Sequence, residues 1–112
     1  MMNQKPDFFF MRSASIYEKV FFNDILFIEA RQNYMTVHLE KGKLMALLTI
    51  KSLEEQLPVP KFLRIHKSYI ISLDKINSMR ENEIVIGTHK IPIGKNYKDQ
   101  ILKIVNDRLI GK

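Results

Sequence analysis

Apolar residues along most of this chain fall in short runs, separated by polar or turn-forming residues, and the runs alternate rather than recur at helical spacing. Phe8–Arg12 and Ile16–Val20 predict two strands, with a turn at Asn23-Asp24. Ile25–Ala30 is almost continuously apolar, which predicts a strand covered on both faces. Tyr34–Leu39 alternates cleanly, placing Met35, Val37 and Leu39 on one face and Tyr34, Thr36 and His38 on the other. Lys41-Gly42 is a hairpin turn into a strand over Lys43–Leu48. The period then changes. Ser52-Leu53-Glu54-Glu55 has capping-box spacing, so a short helix beginning at Thr49 or Ser52 is expected to stop before Pro58, and Pro58-Val59-Pro60 forms a stiff connector.

Strands resume at Phe62–Ile65 and Tyr69–Leu73, around His66-Lys67-Ser68. Lys75–Arg80 and Glu83–Ile86 predict a hairpin turning at Glu81-Asn82, and Gly87-Thr88 turns into His89–Ile93. Tyr97, Ile101, Ile104, Val105 and Leu109 then recur at three- and four-residue intervals. They predict a terminal helix capped by Asn96, with Asp99 in its first turn and Gly111 closing it. The expected fold is mainly β: eight to ten short antiparallel strands, one short internal helix and a C-terminal helix.

Length and composition fit one domain over residues 1–112: 46% hydrophobic, 27% charged, with no repeat, low-complexity tract or linker. Residues 1–6 are expected to be a frayed start. There is no cysteine, which excludes disulfides, thiolate metal sites and cysteine nucleophiles. The apolar run Phe8-Phe9-Phe10-Met11 is too short for a signal-peptide core, and no segment approaches the length of a bilayer crossing. These features point to a soluble, cytoplasmic protein that does not enter a membrane.

Catalysis has little to rest on. His38, His66 and His89 are far apart in sequence, and no pair has the close spacing that preorganises metal ligands. Solvated or hydrogen-bonded strand and loop histidines are the expectation. The four glycines build neither a dinucleotide fingerprint nor a phosphate loop. No enzyme activity, metal or cofactor is expected. Charge is more informative, because the net charge is +6. Lys61 to Lys98 holds eight basic residues against three acidic ones, which is most of that excess. Two clusters lie at breaks between expected elements: Arg64-x-His66-Lys67-Ser68-Tyr69 and Gly94-Lys95-Asn96-Tyr97-Lys98. Arg31-Gln32-Asn33-Tyr34 is a third polar, basic loop. Lysine and serine suit phosphate oxygens, and asparagine suits adenine edges. On charge alone, a solvated rim and a nucleic-acid surface are both open.

The order of these blocks is distinctive. DILFIEA at 24–30, NYMTVHL at 33–39, LRIHKSYIISLDKI at 63–76 and IPIGKNYK at 91–98 together resemble the LytTR family of bacterial DNA-binding domains. The resemblance runs from about Phe8 to the terminal helix. It implies an elongated fold of about ten strands that reads DNA with loops rather than a recognition helix. Carried over residue by residue, the first DNA loop falls on Arg31, Gln32, Asn33 and Tyr34, the second on His66, Lys67 and Ser68, and the third on Gly94, Lys95 and Asn96. These are the loops that the charge pattern picks out. The family often has Ser-Arg at Gly94-Lys95, Arg at Lys67 and Asn at Ser72. Lysine carries the phosphate charge without the bidentate fork that suits guanine, so contacts here are expected to be more electrostatic.

The resemblance implies a sequence-specific transcription regulator, the output domain of a two-component response regulator that binds promoter duplex DNA. A receiver domain in cis is the expected partner if the chain is excised from a longer one; no receiver lies within it. A β-rich module holding an acidic protein, and more weakly an RNA-binding module, are the alternatives. Tyr34, Tyr69 and Tyr97 are expected to pack rather than stack on bases, and Ile25, Phe27, Ile70 and Ile71 to be core. His66 is expected either to orient its loop or to touch DNA, and Glu29 to position Arg31. Since the apolar residues are mostly claimed by strands and helix, a weak dimer or a monomer is expected.

Overall fold

The computed structural model describes residues 7–59 and 61–111, so the expected frayed start at residues 1–6, Pro60 of the connector and Lys112 lie outside the described residues. The element order is β1 (Phe8–Ser13), β2 (Ile16–Phe21), β3 (Ile25–Arg31), β4 (Tyr34–Leu39), β5 (Gly42–Ala46), α1 (Ile50–Gln56), β6 (Phe62–His66), β7 (Tyr69–Ser72), β8 (Ser78–Met79), β9 (Glu83–Ile86), β10 (His89–Pro92) and α2 (Lys98–Asp107). The mainly antiparallel β expectation therefore holds. A central five-stranded sheet runs in the order β5-β4-β3-β7-β6. The β1-β2 hairpin and the three-stranded β10-β9-β8 sheet flank it.

Each face of the central sheet has its own core. On one side Ile28, Met35, Val37, Phe62 and Ile70 meet Met11 and Val20 of the first hairpin and Leu53 and Leu57 from α1 and its end. On the other, Phe27, Leu63, Ile65 and Ile71 meet Ile84, Ile86 and Ile91 of the small sheet and Ile101 of α2. Most of these side chains are almost completely buried, and each fully buried one stabilises the fold by about 1.5–3 kcal/mol. The nearly continuous apolar run in β3 is explained by this double coverage. Ladder register shifts between Ile25 and Phe27. Ile25 and Ile28 serve the first core, while Leu26 and Phe27 both serve the second.

Several local expectations need correction. β5 ends at Ala46 rather than Leu48, and Leu47 is 68% exposed. Of the two expected starts of α1, Thr49 is the one used: its hydroxyl accepts from the Ser52 N–H at 3.1 Å, so Ser52 lies inside the helix and the capping box is not formed. The Asn23-Asp24 turn is the end of a 3-10 turn over Phe22–Asp24. Lys75–Arg80 supplies only the two-residue β8, because Leu73–Lys75 forms another 3-10 turn first. Asn96 does not cap α2: Lys95–Tyr97 is itself a 3-10 turn, and Tyr97 takes the cap position without a side-chain bond. Asp99 does lie in the first turn of α2, but the helix ends at Asp107, well before Gly111, and Leu109 is exposed rather than packed. Nor are the apolar residues used up: Phe10, Tyr17 and Phe21 are exposed on the first hairpin.

Candidate nucleic-acid interface

Antiparallel pairing brings the expected loops to one end of the central sheet. Arg31 pairs with Tyr34 across the β3-β4 turn at Gln32-Asn33. Tyr69 pairs with Glu29 on one side and His66 on the other, so the Lys67-Ser68 turn of β6-β7 lies beside the first. The Ala30 N–H donates to the Ser68 carbonyl at 2.8 Å, joining the two. The third loop docks on the end of β6: the Gly94 N–H donates to the Ile65 carbonyl at 2.6 Å. A Cβ on Gly94 would meet the Tyr97 ring at 3.0 Å and the His66 Cα at 3.3 Å, so a larger residue here would need the ring or the loop to give by a few tenths of an ångström. All ten expected contact residues thus sit in three neighbouring turns or at the strand ends that flank them.

The second loop is braced from beneath by Arg64. Its Nη2 donates to the Lys67 carbonyl at 2.7 Å, its Nε to the His66 carbonyl at 3.3 Å, and its Nη1 to Glu54 Oε1 at 3.1 Å. His66 Nδ1 accepts from the Ser68 N–H at 3.0 Å, so this ring does orient its loop. Lys67, Lys95 and Asn96 are exposed, and neither lysine has an ion-pair partner among the described residues. Two exposed cations in neighbouring loops suit phosphate oxygens.

The first loop is built differently. Gln32 adopts φ 50°, a left-handed conformation that a non-glycine residue holds at some cost in free energy. Arg31, Gln32, Asn33 and Tyr34 are all exposed. Tyr34 at 48% exposure is therefore not the packing residue that the sequence suggests, whereas Tyr69 packs beside Phe27, their ring centroids 6.2 Å apart. Arg31 Nε donates to Glu29 Oε2 at 3.1 Å, as expected, and Tyr69 also donates to Glu29. His38 Nε2 meets Glu29 Oε1 at 3.2 Å while its ring stacks on Phe27 at 4.2 Å.

Burial pushes the Glu29 carboxyl up, but hydrogen bonds from His38, Arg31 and Tyr69, with the Arg31 charge, outweigh it and hold it below the ordinary 4.5. Burial pushes His38 down from the ordinary 6.5, only partly offset by Glu29, with His89 and Lys43 pushing the same way as burial. Burial and the Glu29 charge raise Tyr69. A neutral His38 and an ionised Glu29 follow at neutral pH. Distance in sequence misleads for two of the histidines: His38 and His89 approach to 5.5 Å between centroids, both against Phe27. No group of three metal-ligating side chains occurs among the described residues.

Two features escape the sequence reading. Arg64 belongs to a basic cluster but spends its guanidinium on its own loop; its i, i+2 spacing to His66 and the turn that follows are the only signal. Leu47 and Leu48 are exposed and share a cleft with Gln32 and Asn33, where the sequence suggests the end of a strand.

The fold is thus a loop-bearing antiparallel sheet with three basic turns adjoining at one end. The LytTr DNA-binding domain model matches residues 16–106, and the chain belongs to that family. The CO-responsive transcriptional regulator RcoM of Rhodospirillum rubrum is 32% identical over 78 residues, 63% of this chain. The chain spans about a third of that relative's length, the matched part being 33% of it. A solved LytTr DNA-binding domain, of a protein described as a methyl-accepting/DNA response regulator from Bacillus cereus, superposes with a TM-score of 0.79. That match covers 90% of this chain and 98% of the other at 17% identity, a likeness of fold.

Proposed function

We propose that residues 1–112 form one DNA-reading output domain of a bacterial transcription regulator, which binds promoter duplex DNA in the cytoplasm through Arg31–Tyr34, His66–Ser68 and Gly94–Asn96. The observation that carries this reading is the convergence of the exposed cations Arg31, Lys67 and Lys95 on one end of the sheet. Phosphate contacts by Lys67 and Lys95 fix register, while Asn33 and the Arg31 fork meet base edges. The domain acts as a binding module, without catalysis, metal or cofactor. A receiver in cis supplies the signal, as in two-component systems, and brings two copies together. The isolated chain is a weak dimer or a monomer.

The test is the salt dependence of binding to duplexes recovered by selection from a random pool. With about five neutralised phosphates, the log–log slope is expected near −4 to −5. A slope near zero, or tighter binding to an acidic protein at the same salt, overturns the reading.

A further inference from the structure

Beneath the loop-bearing end, three side chains converge on one carboxylate. Glu29 Oε2 accepts from Arg31 Nε at 3.1 Å and from the Tyr69 hydroxyl at 3.3 Å, and Oε1 meets His38 Nε2 at 3.2 Å. The Glu29 side chain keeps 16% of its exposure, whereas Arg31 keeps 74%. A solvated surface pair of this kind usually contributes little. This one differs because its acid is fixed from three directions. His38 is held by stacking on Phe27 at 4.2 Å, and Tyr69 directly follows Ser68 of the second loop. The anchor for Arg31 is therefore tied to both the sheet and the neighbouring loop. Only Nε of Arg31 is engaged, which leaves its two Nη groups without a hydrogen-bond partner among the described residues. A free arginine must give up much rotamer freedom on binding; one already held at Nε gives up less.

We propose that Glu29 is a positioning residue, which holds the Arg31 guanidinium extended from the loop end with its planar Nη edge free for DNA. The inference rests on the DNA-binding reading of the first loop. It carries an unusual sign. Removing a negative charge from a DNA-binding surface should by Coulomb's law alone tighten binding. If Glu29 acts through Arg31, removing that charge loosens binding to preferred sites instead.

The experiment is a double-mutant cycle on selected and scrambled duplexes, with Glu29→Gln, Arg31→Ala and the pair together, alongside thermal melting of each. Glu29→Gln is expected to weaken binding to the selected duplex by about tenfold, within the range for residues of one network. It is expected to leave scrambled duplex unchanged or slightly tighter. Added to Arg31→Ala, it should change affinity no further. Tighter binding of the Glu29→Gln variant, or an additive loss in the pair, overturns the proposal. An equal loss on both duplexes does so too, because it marks general weakening. If Glu29→Gln melts below the assay temperature, Glu29→Asp replaces it, keeping the charge but unable to span all three partners; wild-type binding by that variant overturns the proposal. Normal binding by Arg31→Ala removes the DNA reading of the first loop itself, and this proposal with it.

Discussion

The second and third loops are gripped at their backbone groups, by main chain and by the Arg64 and His66 side chains, and the first mostly at a side chain, that of Arg31. Ile65 and Gly94 join through an N–H and a carbonyl, and Arg64 ties two consecutive carbonyls of the Lys67 turn to α1 through Glu54. The Gln32-Asn33 turn has one such tie, from Ala30 to Ser68, and otherwise relies on Glu29 and a left-handed Gln32. Two loops tied at the backbone beside one tied at a side chain suit a division of labour. Backbone ties place charge against a regular phosphate backbone, while Glu29 aims one guanidinium at base edges. The difference also indicates where each kind of substitution acts.

The largest expected effect tests the second and third loops. Lys67→Ala with Lys95→Ala should weaken duplex binding by about 10²-fold at moderate salt and make the salt slope shallower by about two, without altering the melting temperature. A titration across salt concentrations checks this, and an unchanged slope would mean that neither lysine meets a phosphate. Next, Arg64→Ala should lower stability by about 1–3 kcal/mol and weaken DNA binding, because the His66 and Lys67 carbonyls lose their donor and Glu54 its partner. Denaturant unfolding together with DNA titration measures both. A loss confined to stability would show that the second loop keeps its shape unaided.

A smaller effect concerns acid. Glu29 and His38 both have folded-state values below their ordinary ones, so the unfolded chain takes up protons first. Stability from His38 is complete above about 6.5 and is lost as pH falls through its lowered value; that from Glu29 is lost further down, below about 4.5. Melting temperature should therefore fall steadily on acidification, and His38→Gln should flatten the upper part of that fall. A melting temperature that rises on acidification would contradict the assignment. The smallest effect is at the first loop. Gln32→Gly removes left-handed strain but adds chain entropy, for a net gain of about 0.5 kcal/mol. A clear loss would mean that the Gln32 side chain itself supports the turn.

The alternation of Tyr34–Leu39 and the double-sided run of β3 were legible because period and composition report burial directly. The loop positions were legible because basic residues clustered at element breaks. The ends of α1 were largely legible, since Thr49 was one of its two expected starts and it stops before Pro58. The start of α2 was not: a 3-10 turn takes up Asn96 beside the Gly94 docking, which no local pattern encodes. The Glu29 cluster was half legible. Arg31 is two residues away on the same strand face, whereas His38 and Tyr69 arrive from neighbouring strands by register. Arg64 looked like a ligand-facing cation because sequence does not distinguish a guanidinium spent on carbonyls from one left free.

The extra residue in β3 has a consequence of phase. In an uninterrupted strand, Ile25, Phe27, Glu29 and Arg31 would share one side. Because Leu26 and Phe27 fall on the same side instead, parity inverts after Ile25, and Glu29 and Arg31 emerge opposite it. The segment thus behaves like a reading frame. Exchanging one branched apolar residue for another at 25–28 leaves the frame intact, and deleting Leu26 would remove the extra residue with every neighbour still on its own side. Deleting Ile28 would instead force a choice: either Phe27 leaves its core, or a carboxylate and a guanidinium turn inward among Met35 and Ile70. Length variation should therefore be barred from this strand beyond its bulge even where its identities drift freely.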